Sequence, residues 1–95
     1  MGQTAVVRGR ATNVKEVDGE LVVRYHATDV VTRKADGTII LKTGGWKTLT
    51  TRTRQNQAAH QFNLGYSVQQ KDYAWYVHYK GATLPFDGDE ITLPA

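Results

Sequence analysis

Thr50-Thr51-Arg52-Thr53-Arg54-Gln55-Asn56-Gln57-Ala58-Ala59-His60-Gln61-Phe62-Asn63 carries the helical signature of this 95-residue sequence. On a 3.6-residue period, Gln55, Ala58, Ala59 and Phe62 fall on one face. The two alanines suit close approach to a sheet. Thr50 or Thr51 supplies a capping hydroxyl, the helix runs from about Arg52 to Asn63, and Gly65 fits the left-handed position that ends it. Arg52 and Arg54 flank the apolar face on opposite sides, and Gln57, His60 and Gln61 point to water.

On either side of this helix the period changes from 3.6 to 2. Upstream, Asp18-Gly19 separates Val14–Val17 from Glu20–Val23, and Asp-Gly suits the positive backbone angles of a tight hairpin. Leu21 to Thr32 reads as one long strand, with Leu21, Val23, Tyr25 and Ala27 on one face and a bulge or bend near Asp29 and Val30-Val31. A second Asp-Gly, Asp36-Gly37, precedes Thr38–Lys42. A four-residue loop, Lys34–Gly37, would pair Val31 with Ile40, and it is preferred because a one-residue slip sends an apolar face to solvent. Thr43-Gly44-Gly45 is a turn, and Trp46 to Thr50 is a short strand or an extended approach to the helix. Downstream, Tyr66–Gln70 and Tyr73–Lys80 form a hairpin about Lys71-Asp72, with Trp75 in the core. Lys80-Gly81 turns into Ala82–Phe86, where Pro85 marks an edge. Asp87-Gly88-Asp89 is a loop, and Ile91–Leu93 is a last short strand. Thr4–Arg8 is a strand, or residues 1–13 are a loose arm. The order strands–helix–strands, without alternating units, predicts an α+β fold: one domain over residues 1–95, an antiparallel sheet of short strands with one helix.

Composition narrows the function classes. With no cysteine, disulfides and thiolate zinc sites are excluded, and a reducing compartment is expected. No apolar run approaches the roughly 20 residues that span a bilayer, and Ala5-Val6-Val7 is too short for the apolar region of a signal peptide. The expectation is a cytosolic protein with no membrane association.

The net charge of +3 is unevenly spread. Residues 1–36 balance at +1, residues 72–95 at −3, and the 35 residues from 37 to 71 carry Lys42, Lys47, Arg52, Arg54 and Lys71 with no acid. A helix N-terminus attracts anions and usually carries Asp or Glu, worth about 0.3–1 kcal/mol each. Here Arg52 and Arg54 occupy the expected first turn. Either carboxylates of the acidic C-terminal third balance them internally, or an external anion does. Lys42, Trp46, Lys47, Arg52 and Arg54 are therefore the candidate anion- or nucleic-acid-binding set, with Trp46 as an exposed ring beside the Gly-Gly turn. Trp46, Tyr73, Trp75, Tyr76 and Tyr79 could offer stacking surfaces for bases.

Chemistry-bearing motifs are missing. His26, His60 and His78 have no metal-ligand spacing, although His26 and His78 could meet across strands. Ser67 is the sole serine and has no nucleophile elbow around it. Asp87, Asp89 and Glu90 read as a polar loop without the ligand ladder of a calcium site. Thr43-Gly44-Gly45-Trp46-Lys47-Thr48 has the wrong glycine spacing for a Walker loop. The expectation is a binding protein, not an enzyme, and no cofactor.

The run Thr43-Gly44-Gly45-Trp46, then Thr50-Thr51, Arg52, Arg54 and Asn56, followed by Gln70-Lys71-Asp72 and Trp75–Val77, resembles a family of small tailed-bacteriophage proteins without an assigned function. Tyr25-His26 and Val30-Val31 fit the same pattern, which spans roughly residues 25–86. The resemblance implies a phage gene product acting in the host cytoplasm and brings no activity or site with it. The expected role is a phage accessory protein that binds an anionic partner, nucleic acid first. An inhibitor docking on a host enzyme or defence protein through an acidic surface or a sheet edge is the alternative. A small-molecule binder or minor virion component comes third.

Overall fold

The computed structural model describes residues 12–45 and 48–95. Strands β1 (Thr12–Val17), β2 (Glu20–Tyr25), β3 (Thr28–Arg33) and β4 (Ile39–Lys42) precede helix α1 (Leu49–Gln61). Strands β5 (Tyr66–Lys71), β6 (Ala74–Tyr79), β7 (Ala82–Pro85) and β8 (Glu90–Leu93) follow it. The α+β class and the strands–helix–strands order are as expected. The strands form two antiparallel sheets, however: a five-stranded sheet in the order β1-β2-β3-β4-β8 and a three-stranded sheet β5-β6-β7. The last strand returns to the first sheet by pairing with β4.

Two-residue hairpins dominate the connections. Asp18-Gly19, Asp72-Tyr73 and Lys80-Gly81 each have positive φ at both positions, the backbone that matches the twist of the flanking strands. The Asp18-Gly19 and Lys80-Gly81 turns fall where expected, and β7, with Pro85, is an edge strand. The turn expected at Lys71-Asp72 sits one residue later, which leaves Tyr73 at the tip, 95% exposed.

Two strand readings are corrected. The long strand Leu21–Thr32 is two strands folded back at His26-Ala27, with Tyr25 opposite Thr28. Length and β-propensity alone do not reveal that turn, because His26 adopts φ 57° without an Asp-Gly or Asn-Gly signal. The bulge near Asp29 is present: Val23 faces Val31 and Arg24 faces Asp29, so Val30 is the extra residue. That insertion lets both Val30 and Val31 enter the core. The second correction is in register. Val31 pairs with Leu41, not Ile40. A turn closed by Gly37 N–H donating to Lys34 C=O (2.9 Å) is followed by Lys34 N–H donating to Thr38 C=O (2.7 Å). Lys34 thus pairs with Thr38, and the loop is the three residues 35–37, one shorter than the expected four, with Gly37 at φ 96°.

The helix begins three residues before the expected start. Thr48, in extended conformation, is the cap, and its hydroxyl accepts the Thr51 N–H at 3.2 Å. Leu49 and Thr50 are helical, so the strand expected over Trp46–Thr50 does not form at positions 48–50; Trp46 and Lys47 lie outside the described residues. The helix ends on Asn63 (φ 54°) instead of Gly65, with Leu64 N–H donating to Ala59 C=O at 2.9 Å. This is the six-to-one bond of a left-handed cap, and asparagine is the residue besides glycine that most often provides it. At the N-terminus, Thr12 and Asn13 belong to β1 and not to an arm. Thr4–Arg8 lies outside the described residues.

The helix packs on β2 and β3 of the first sheet and on β5 of the second. One core joins them: Leu21, Val23, Val31, Leu41 and Leu93 from the first sheet, Ala58 and Ala59 from the helix, and Val68, Trp75, Val77 and Phe86 from the second sheet and the segment after it. The buried helix face is polar as well as apolar, because Thr51, Gln55 and Gln57 are buried beside the alanines. Gln57 is thus inside, against expectation, accepting a bond from Arg54 Nη1 at 3.4 Å. Gln55 Nε2 donates to the carbonyls of Val30 (3.2 Å) and Lys42 (3.0 Å) and pins the helix to β3 and β4.

Candidate anion-binding site

Because α1 starts at Leu49, Arg52 and Arg54 are its fourth and sixth residues and not part of an opening turn. The Arg52 N–H already donates to Thr48 C=O at 3.1 Å. The first turn holds no acid, but the dipole fades within one turn, so the arginines oppose it less than the sequence suggests.

What the arginines do not find is more informative. Among the described residues, the ion pairs are Arg24–Asp29 (2.8 Å), Arg33–Glu16 (3.2 Å) and Lys42–Glu90 (3.9 Å). All three lie on the first sheet. The Arg52 Nη1 donates to Gln70 Oε1 at 3.1 Å, and its guanidinium carbon sits 5.9 Å from the Trp75 ring centroid. The Arg54 Nε donates to Thr12 Oγ1 at 2.9 Å, its guanidinium lying 5.8 Å from the Tyr25 ring centroid. Neutral oxygens and aromatic faces orient both groups and cancel no charge.

The candidate set is therefore divided. Arg52 leans toward the second sheet and Arg54 toward β1 and β2 of the first, because residues two apart on a helix face opposite ways. Lys42, on β4, is in loose contact with Glu90 and has the weak attachment of an exposed pair. Trp46 and Lys47 lie outside the described residues. Trp75 and Tyr79 are buried and Tyr73 is free, so the aromatic residues do not form one platform. His26 and His78 do not meet: His26 stacks at 4.4 Å on Tyr25, while His78 Nδ1 lies 2.9 Å from Thr83 Oγ1. No group of three or more metal-ligating side chains occurs among the described residues. None of the described helices is long and apolar enough to cross a membrane.

A feature not foreseen from the sequence lies beside the helix start. The β2–β3 turn and the Thr43-Gly44 bend enclose a cleft of about 380 Å³ with the first turn of α1; its walls include Tyr25, His26, Thr28, Thr43, Thr48 and Thr51. Thr43 and Thr51 are buried, and Thr43, Thr48 and Thr51 hydrogen-bond within the protein. Reading Leu21–Thr32 as one strand concealed the cleft, since it exists only because that segment turns at His26.

A family model, described as Kyanoviridae Gp96 protein, matches residues 2–92. No curated protein and no solved structure matches.

Proposed function

The chain belongs to the Kyanoviridae Gp96 protein family, a family of bacteriophage proteins, and on that premise we propose that it is an accessory protein that binds an anionic partner, nucleic acid first, and acts without catalysis in the host cytoplasm. The observation that supports this reading is the separation of charge. The ion pairs among the described residues, Arg24–Asp29, Arg33–Glu16 and Lys42–Glu90, all lie on the first sheet, while Arg52 and Arg54 are held by neutral groups. Two guanidinium groups splayed to either side of one helix suit an extended polyanion better than a single phosphate. In sequence, Lys42, Lys47 and Lys71 lie in the same acid-free segment from 37 to 71, together with Trp46. Phosphate contacts would give affinity without sequence preference. The test is titration with single- and double-stranded DNA and RNA at two salt concentrations. Absence of binding at low salt, or binding unaffected by Arg52→Ala with Arg54→Ala, rejects it.

A second reading, an inhibitor of a host protein, has its own support. Among the described residues β1 is hydrogen-bonded on one side only, and its Val14 and Val17 are exposed. An unpaired edge can add a strand from another chain. Capture of one host protein that survives nuclease treatment would favour this reading over the first.

A further inference from the structure

We propose that the cleft between the β2–β3 turn and the start of α1 binds one phosphorylated nucleoside, either free or as the 5′ end of a strand. This goes beyond the polyanion-binding set, with which it shares only Arg54 at the rim, and does not depend on it. The cleft volume of about 380 Å³ lies within the range of small-ligand pockets and is too small for a duplex. Among the described residues no carboxylate belongs to its lining, and Asp89 is engaged by the hydroxyl of the lining residue Thr43.

The polar groups around the cleft fall into two sets. Thr43, Thr48 and Thr51 are tied to one another or to neighbours and keep the wall rigid. The Tyr25 hydroxyl, the His26 imidazole and the Thr28 hydroxyl have no hydrogen-bond partner among the described residues. These three come from one turn, where the Tyr25 and His26 rings meet at a 57° tilt. Two rings at that angle form a wall for a planar base, and the free hydroxyl and imidazole can donate to phosphate or sugar oxygens. The Arg54 guanidinium beside Tyr25 adds positive potential at the rim.

The backbone supports a role for His26. It holds φ 57° in a two-residue turn, a position at which glycine is free of strain. A histidine there costs stability, and side-chain chemistry directed at a ligand is a reason to keep it. Gln55 adds a further mark: it is fully buried behind this wall, bonded to the carbonyl of the lining residue Val30, and its Oε1 has no partner among the described residues.

The experiment is calorimetric titration of the full chain with AMP, GMP, CMP and UMP, and with a 5′-phosphorylated oligonucleotide set against its 5′-hydroxyl twin. Saturable binding of a mononucleotide identifies a free nucleotide as ligand; preference for the phosphorylated twin alone identifies a strand end, and either supports the proposal. His26→Gly should raise the melting temperature by a few degrees while weakening binding at least tenfold, a combination that a purely structural histidine would not give. Thr28→Val should weaken binding with little change in melting temperature. No binding of any mononucleotide at millimolar concentration together with no discrimination between the twins overturns the proposal, as does binding that neither substitution alters. Arg52→Ala, which removes a side chain directed to Gln70 and Trp75 and not part of the cleft lining, separates the two readings: it should weaken binding of long polyanions and leave mononucleotide binding intact.

Discussion

Asn56 acts as a substitute strand for Val68. Its side-chain amide donates to the Val68 carbonyl at 2.8 Å, and its side-chain oxygen accepts the Val68 N–H at 2.7 Å. β5 is an edge strand of the three-stranded sheet, so the outward backbone groups of Val68 have no neighbouring strand to meet. One asparagine on the helix satisfies both and sets the distance between α1 and the second sheet.

Asn56→Ala should therefore destabilise the protein by about 2 kcal/mol, because it leaves a part-buried N–H and C=O unpaired. Asn56→Asp should be at least as costly, since a carboxylate can accept from the Val68 N–H but repels its carbonyl. Urea unfolding of the two variants gives the comparison. Equal stability of both variants and the parent would show that water replaces the side chain at no cost.

Tyr66 makes a second tie from the same strand. Its buried hydroxyl donates to the Gln55 carbonyl at 2.6 Å, and burial raises its pKa well above the ordinary 10.0. A proton held more tightly in the folded state gives stability that is complete below the unfolded value. That stability is lost as the pH climbs from there toward the folded value. Unfolding free energy should fall above about pH 10, and Tyr66→Phe should remove this part of the decline. At neutral pH, Tyr66→Phe should cost about 1 kcal/mol for the lost hydrogen bond. Parallel unfolding curves for parent and variant between pH 8 and pH 11, both values on the order of the tyrosine range, check both points.

Gly44 is fixed by two constraints at once. Its φ is +63°, and an added Cβ would collide with Thr28 Oγ1 and lie 3.0 Å from Thr28 Cγ2 and 3.1 Å from Thr28 Cβ. Rotating Thr28 cannot clear all three. Gly45, at φ +82°, would bring an added Cβ within 4 Å of nothing among the described residues. Gly44→Ala should cost clearly more than Gly45→Ala, for which the backbone term of about 1–2 kcal/mol stands alone. Thermal melts of the two variants measure the difference. Gly44→Ala should also disturb the cleft beside Thr28, whereas Gly45→Ala should leave it in place.

The readable parts of this fold were those announced by local chemistry. Asp18-Gly19 and Lys80-Gly81 mark their turns because Gly occupies a position of positive φ. Pro85 marks an edge because it donates no hydrogen bond. Trp75 and the alanine face of α1 announce the core. What stayed hidden depended on non-local pairing or on residues acting out of type. His26 and Tyr73 take left-handed backbone conformations in turns where glycine is the usual signal. The register of β3 against β4 rests on a loop of three residues and not four, and the division into two sheets rests on β8 returning to β4. The helix starts earlier than expected because the capping hydroxyl is that of Thr48 and not of Thr50 or Thr51, the Thr48 Oγ1 accepting the Thr51 N–H. At the candidate site, the sequence carries the lack of acids between residues 37 and 71 but not the direction of each guanidinium. Arg52 and Arg54 avoid carboxylates, and tertiary packing sends them to opposite sheets. The cleft residues Tyr25, His26 and Thr28 were passed over because a strand reading placed them on alternating faces and not around one turn.

Charge left uncompensated on the helix is most directly tested by the salt dependence of nucleic-acid affinity. The logarithm of the association constant for a single-stranded oligonucleotide should fall linearly with the logarithm of salt concentration. Replacing Arg52 and Arg54 together by alanine should make that slope shallower by about 2, roughly one for each lost phosphate contact. A slope identical in parent and double variant, or no association at low salt, would contradict the assignment.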